Sequence, residues 1–276
     1  MPLQPHTPEW YDRLATLQPG YYYPWRSRLG AWNGEDAYLA LVRAHLRPNA
    51  DVLDVACGHG EVTLDLAPLC RSVLGYDRIA SWIERAQCSA QERGVANATF
   101  VCHDSSPAAN GGRARLPAPD GSFDLLICRR GPFHWIEDAR RVARPGAVLL
   151  MLVPNPTPAT PWSTWLPAPL GWSDPDDPLW ARDRIGERLA AGGLSLDSYW
   201  TYNVPEVFPS PEELYRWRAW GYTPDEVPSF EEVRPILARI FEEHGGLDGV
   251  AVCHSRFLWK ASSTRSASQV RQISHR

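Results

Sequence analysis

The chain has 276 residues, 44% of them hydrophobic and 22% charged, with a formal net charge of −4. This is enough apolar material for one large domain, or a core domain with a cap, and it excludes wholesale disorder. The acidic balance gives no electrostatic reason to expect a nucleic-acid partner.

The first 34 residues are rich in Pro, Tyr and Trp, and residues 1–34 read as an irregular aromatic arm with at most one short helix. Apolar positions 37, 38, 41, 42 and 46 predict an amphipathic helix over Asp36–Leu46, ended by Pro48. An alternation follows. Strands are expected at Asp51–Val55, Ser72–Tyr76, Ala98–Cys102, Phe123–Cys128 and Ala147–Pro154. Helices are expected at Glu61–Leu69 and Ile79–Arg93, with a short one before Pro145. Short apolar strands alternating with amphipathic helices predict an α/β fold, a mostly parallel sheet doubly wound by helices on both faces.

Residues 155–180 form a Pro/Trp-rich stretch too long for an ordinary connection, which suggests a lid carrying Trp162, Trp165, Trp172 and Trp180. Beyond it come a helix at Arg182–Ala191, a strand at Leu194–Tyr202, helices at Pro211–Trp220 and Phe230–Glu243, and a strand at Gly249–Lys260. That makes seven strands. The composition of residues 262–276 predicts a disordered tail. The organisation expected is therefore an arm at 1–34, a domain at 35–261 with a cap at about 155–180 and helical additions at about 205–245, and the tail.

The six cysteines, at 57, 70, 88, 102, 128 and 253, form no Cys-x-x-Cys pair and no zinc-spaced cluster. They read as reduced thiols of a cytoplasmic chain, and no metal is expected. No basic-then-apolar leader and no apolar run of ~20 residues occurs, so no membrane role is expected.

The chemistry concentrates in Leu53-Asp54-Val55-Ala56-Cys57-Gly58-His59-Gly60, a strand feeding a glycine turn and then a helix. Such a turn lets a ligand approach the backbone and meet free N–H groups at the helix start. A dinucleotide fingerprint needs a third glycine where Thr63 stands, and Asp54 would repel a pyrophosphate. A carboxylate at that point suits a ligand with cationic ammonium and sulfonium groups. Asp77 ends the second strand, where a carboxylate can accept both hydroxyls of a ribose.

At this point the sequence resembles the class I S-adenosylmethionine-dependent methyltransferases, specifically UbiE/type-11-like small-molecule enzymes. The resemblance spans residues 36–154 and rests on Val52–Gly60, Gly75-Tyr76-Asp77, His103-Asp104, Asp120–Leu126 with Phe133-His134-Trp135-Ile136, and Arg141–Gly146. It implies a Rossmann-like sheet of seven strands with the last antiparallel, and S-adenosyl-L-methionine as cofactor. It places Asp54, Ala56, Cys57, Gly58 and Gly60 around the methionine part and Asp77 with Arg78 at the ribose. Asp104 and Ser105 would lie at the adenine, and Arg129 and Phe133 beside the methyl group. Ala56 stands where the family often has glycine. Residues Pro107–Leu116 look inserted.

Tyr21, Tyr23 and Trp25 of the arm, with His134, Trp135, Trp162 and Trp165, are the candidate substrate contacts, and His134 is also a candidate general base. The aromatic character of these segments favours a flat or apolar small-molecule acceptor, handled by a monomer or homodimer. Three competing readings remain: an RNA (guanine) methyltransferase, opened slightly by arginines 265, 271 and 276; a catalytically silent cofactor-binding protein; and a nicotinamide-dependent dehydrogenase.

Overall fold

A computed structural model of the chain describes residues 3, 6–171, 179–263 and 271–272. In chain order it contains α1 (Pro8–Leu17), β1 (Arg28–Leu29), α2 (Gly34–His45), β2 (Asp51–Val55), α3 (Glu61–Leu66), β3 (Ser72–Asp77), α4 (Ala80–Glu92), β4 (Ala98–Cys102) and β5 (Phe123–Arg129). Then follow α5 (Ile136–Val142), β6 (Ala143–Pro154), α6 (Trp180–Ala191), β7 (Ser195–Phe208), α7 (Pro211–Arg218), α8 (Phe230–His244), β8 (Gly245–Gly246), β9 (Gly249–Ser262) and β10 (Arg271–Gln272). The chain divides into two compact units.

The larger unit comprises Gly34–Asn155, Leu179–Tyr202 and Arg256–Arg276. β2 pairs in parallel with both β3 and β5, β3 with β4, and β5 with β6, while β9 runs antiparallel to β6. The expected doubly wound, mostly parallel sheet is observed, with β9 as its antiparallel strand; the two-residue β1, β8 and β10 come in addition to the seven strands expected. β2, β5 and β6 are nearly continuous apolar runs because helices cover both of their faces. Period-2 alternation sorts their side chains. Leu53, Val55, Leu126, Met151 and Val153 join Ile136 and Ile185 in one core, on the side of α5 and α6. Val52, Leu125, Ile127, Leu150 and Leu152 join Tyr38, Val42 and Leu66 in the other, on the side of α2 and α3. Each fully buried Leu or Ile contributes ~1.5–3 kcal/mol, so these layers hold the strand ends firmly in place.

The smaller unit comprises Met1–Asn33, Pro156–Pro178 and Asn203–Ser255. The aromatic arm, the Pro/Trp-rich stretch and the helical additions thus cluster with one another. Its core joins Trp162, Phe208, Leu214, Val233, Leu237 and Ile240. Ser229 and Glu232 form a capping box that starts α8, satisfying free backbone N–H groups at the helix entry.

Several boundaries differ from expectation. β6 begins at Ala143, upstream of Pro145. Its register against β5 jumps between Phe123↔Ala143 and Leu125↔Val148, and Gly146, at φ +83°, lies in the extra chain of this bulge. β7 runs past Tyr202 and through Pro205, which keeps its place by accepting a hydrogen bond from Gly30 N at 2.8 Å instead of donating one. Arg271–Gln272, expected to be disordered, pair in parallel with Ser198–Tyr199 of β7, whose main chain offers hydrogen bonds irrespective of side chain. Trp172, Arg265, Arg276 and most of the expected tail lie outside the described residues. Among the described residues no helix is long and apolar enough to cross a membrane.

Candidate functional site

In the larger unit the C-terminal ends of parallel β2, β3, β4 and β5 bring together Asp54, Asp77, Asp104 with Ser105, and Arg129. This edge is where open α/β sheets bind their ligands. The chain leaves β2 through a left-handed turn, with φ +54° at Ala56, +56° at Gly58 and +79° at Gly60. Glycine adopts this conformation freely, whereas Ala56 carries a steric cost of ~1–2 kcal/mol, which explains why glycine is common at that position. At Gly60 a side chain is excluded, because a Cβ would come within 2.8 Å of both Ala86 and Phe100.

Two buried carboxylates flank this turn. Asp54 is 3% exposed and accepts a hydrogen bond from the Thr63 hydroxyl at 2.5 Å. Thr63 is therefore more than a departure from a dinucleotide pattern: it holds Asp54 in position. Burial pushes the Asp54 carboxyl up to about 7, against the opposing pull of the Thr63 bond and Arg129, with nearby Asp77 adding to the rise. Asp77 is 7% exposed and accepts from Gly58 N at 2.9 Å and Ile79 N at 3.0 Å. It thus ties the turn to the start of α4, and each oxygen retains a lone pair. Burial raises its pKa too, with those two N–H bonds opposing. Neither carboxylate forms an ion pair among the described residues. Cys57 is partly buried beside them, and burial pushes its thiol well up, so it is no nucleophile.

Asp104 is more exposed. Ser106 N donates to its Oδ1 at 2.8 Å, a local turn, and Arg78 Nε lies 4.0 Å from its Oδ2. Asn110, from the stretch that looks inserted, donates to Asp104 O at 2.7 Å and Ser106 O at 2.8 Å, so that stretch braces the turn. Ser105 is 4% exposed and contacts His134 Nε2 at 3.0 Å. Burial lowers the pKa of His134, with Arg188 adding to the fall and Asp104 and Glu137 opposing it, so the ring is neutral at neutral pH.

Residues without a sequence signal complete the site. Glu35, in the first turn of α2, receives Arg129 Nε at 2.6 Å, Arg256 Nε at 3.3 Å and Arg130 Nε at 3.8 Å. Burial alone would raise its pKa, but Arg130, Arg129 and Arg256 together hold it at about 2. One turn along α2, the Tyr38 hydroxyl is fully buried and has no hydrogen-bond partner among the described residues. Asp54, Arg129 and Glu35 all act electrostatically on it. In the sequence Tyr38 counted only as one apolar position of an amphipathic helix, so nothing marked its hydroxyl.

Some expected contacts change. Trp135 is wholly buried and stacks on Trp259 with ring centroids 6.1 Å apart, so it packs the core and offers no face to a substrate. Trp162 is 2% exposed within the core of the smaller unit, for the same reason: a large apolar ring beside a helical pair is worth more inside than out. Trp165 packs at the margin of that core, with the Arg239 guanidinium 4.3 Å from its ring centre. Tyr21, Tyr23 and Trp25 belong to the smaller unit, where Tyr23 stacks on Trp25 at 4.5 Å and all three meet Trp220 edge-on. Phe133 packs on the larger unit's core and meets Trp180 at 5.7 Å.

Residues 52–150, which carry this whole strand-end arrangement, match the family model described as a methyltransferase domain. Over this stretch the chain is similar to methyltransferase domains. It is 34% identical over 117 residues to an uncharacterised methyltransferase of Bacillus subtilis, covering 42% of this chain and 43% of that one. It is 28% identical over 152 residues to a demethylmenaquinone methyltransferase of Lactiplantibacillus plantarum, covering 51% and 56%. A 23S rRNA (uracil-C(5))-methyltransferase of Pseudomonas putida is 33% identical over 124 residues, covering 37% and 27%. The chain spans about half the length, or less, of these curated relatives. A crystal structure of a functionally unknown protein from Deinococcus radiodurans shares the fold at TM-score 0.64 and 21% identity, covering 93% of this chain and 100% of that one.

Proposed function

We propose that this protein transfers a methyl group from S-adenosyl-L-methionine to a small-molecule acceptor. The observation that carries the reading is the pair Asp54 and Asp77: buried carboxylates beside a left-handed glycine turn, raised in pKa and without a compensating cation in an ion pair. Burying charge this way is costly unless a ligand compensates.

The residues present fit that cofactor. Asp54, with Ala56, Cys57, Gly58 and Gly60, would hold the methionine part, the carboxylate facing the ammonium and sulfonium charges. The unpartnered Tyr38 hydroxyl and Arg129 supply donors for the carboxylate end. Asp77 with Arg78 would take the ribose, and Asp104 with Ser105 the adenine. Arg129 and Phe133 would border the reacting centre. The cofactor supplies an activated methyl group on a good leaving group. The protein's part is to align the acceptor and exclude water, so no nucleophile or metal is required of its side chains. The demethylmenaquinone methyltransferase among the relatives supports a small-molecule acceptor, as does the acidic net charge of −4.

Methylation of an RNA base is a second reading, favoured by the ribosomal RNA methyltransferase among the relatives. Calorimetry with S-adenosylhomocysteine and with NAD tests the cofactor: binding of the first is expected, and binding of NAD alone overturns the proposal. RNA binding that weakens steeply with salt would shift the acceptor to RNA.

A further inference from the structure

The larger unit contains a hydrogen-bond chain whose hydrogens can be counted. The Tyr76 hydroxyl lies 3.0 Å from Ser105 Oγ, and Ser105 Oγ lies 3.0 Å from His134 Nε2. Tyr76 is 2% exposed and Ser105 4% exposed, so water does not stand in for a missing partner. Each hydroxyl has one hydrogen to donate. If Tyr76 donates to Ser105 and Ser105 donates to Nε2, both hydrogens are used. If Nε2 carries a hydrogen, one hydroxyl hydrogen is left buried without an acceptor, whichever way the remaining bond runs. A buried donor left unsatisfied is the more expensive arrangement.

We infer that His134 is held as the neutral tautomer with Nδ1 protonated and Nε2 bare, and that it serves as a hydrogen-bond donor, not as a general base. Tyr76 and Ser105 are positioning residues that act through it. No described residue accepts from Nδ1. The ring is only partly buried, so that N–H is open to be given to a lone pair on a bound molecule: a carbonyl, enolate or carboxylate oxygen, or an aromatic ring nitrogen. The charged groups around the ring are Asp104, Glu137 and Arg188, and the net effect of its surroundings lowers its pKa, consistent with a neutral ring. A ring fixed this way cannot take a proton through Nδ1. The acceptor must offer its lone pair without help from His134, as a neutral amine, an enolate or a carboxylate does. The inference deepens the proposed function in its acceptor chemistry, while the tautomer itself stands apart from it.

Long-range 15N–1H correlation spectra of the full chain at neutral pH test this, with the His134 signals identified by their loss in His134→Asn. The expected result is a protonated Nδ1 and a bare Nε2, with Ser105→Ala and Tyr76→Phe shifting the ring toward the Nε2–H form. A wild-type ring protonated on Nε2, or a cationic one, overturns the inference, and that measurement needs no variant of the chain to fold. Titrating S-adenosylhomocysteine then locates the lone pair. A shift at Nδ1 assigns it to the adenine, and no shift despite binding shows that the cofactor does not take this N–H. Failure of S-adenosylhomocysteine to bind would overturn the proposed function while leaving the tautomer as measured.

Discussion

Asp51 and Asp54 sit on the same short strand, at opposite ends of the sheet, and their electrostatics are opposite. At the strand's start, Asp51 is clamped by Arg71 and Arg144, and Ser72 Oγ donates to it at 2.7 Å. Arg144 also reaches Asp124, whose Oδ2 accepts from Asp51 N at 2.9 Å. The hydrogen bond from Arg71 is the main cause holding the Asp51 carboxyl far below the usual carboxylate range. At the strand's end, Asp54 has the Thr63 hydroxyl but no ion pair among the described residues, and burial pushes it up to about 7 against the pull of Thr63 and Arg129. One end is neutralised by its own cations and finished. The other leaves negative charge uncompensated, as expected where a cationic ligand completes the structure.

Changes at the two ends are expected to separate stability from binding. The largest effect is expected at Gly60→Ala, where a side chain meets Ala86 and Phe100 at 2.8 Å and φ is +79°. A loss of about 2–4 kcal/mol is expected, seen as a lower midpoint in thermal unfolding. A melting curve matching the wild type would show that the turn is not as tight as described. Next is Asp77→Ala. Calorimetry should show S-adenosylhomocysteine binding weakened roughly ten- to a hundred-fold, the value of one or two hydrogen bonds to a charged group. Unchanged affinity would remove Asp77 from the site.

The pH dependence discriminates the two ends most directly. Asp54, raised in the folded state, stabilises the fold below about pH 4, and that contribution is lost as pH rises through about 7. A cationic ligand favours its ionised form. Affinity should therefore rise with pH through about 7 and fall by up to about tenfold per unit below it. Asp51, depressed in the folded state, contributes stability above its unfolded value of about 4 and loses it as pH falls further. Asp51→Asn should cost about 1 kcal/mol at neutral pH, less in high salt, with ligand affinity unmoved. If affinity followed Asp51 instead, the contrast between the ends would fail. The smallest effect is expected for Ala56→Gly. Relief of the +54° φ, partly offset by greater unfolded-state freedom, should stabilise the fold by about 0.5 kcal/mol, measurable by denaturant unfolding.

Residues whose roles depend on local pattern were legible before any coordinates. The alternation of Leu53, Val55 and Val52 predicted a strand covered on both faces, and the glycines at 58 and 60 predicted a turn that a ligand can approach closely. Residues whose roles depend on what lies opposite were not. Trp162 looked like a substrate contact because aromatic density beside proline suggests a lid, and Trp135 because it follows the fourth strand beside His134; stacking on Trp259 and burial in the smaller unit's core instead decided their places. Glu35 and Tyr38 carried no motif, and Tyr76 lay inside Gly75-Tyr76-Asp77 with nothing to mark its hydroxyl, since a tyrosine on an amphipathic helix or a strand reads as one more apolar position.

By itself, then, the sequence determined the main order of strands and helices, the glycine turn and the carboxylates at the strand ends, because each follows from near neighbours along the chain. Only the tertiary structure decided that, among the described residues, Asp54 has no ion pair while Asp51 has two, that Glu35 gathers Arg129, Arg130 and Arg256, and that Tyr76 reaches His134 through Ser105. Charge compensation and hydrogen-bond direction depend on groups distant in sequence, and burial sets their strength.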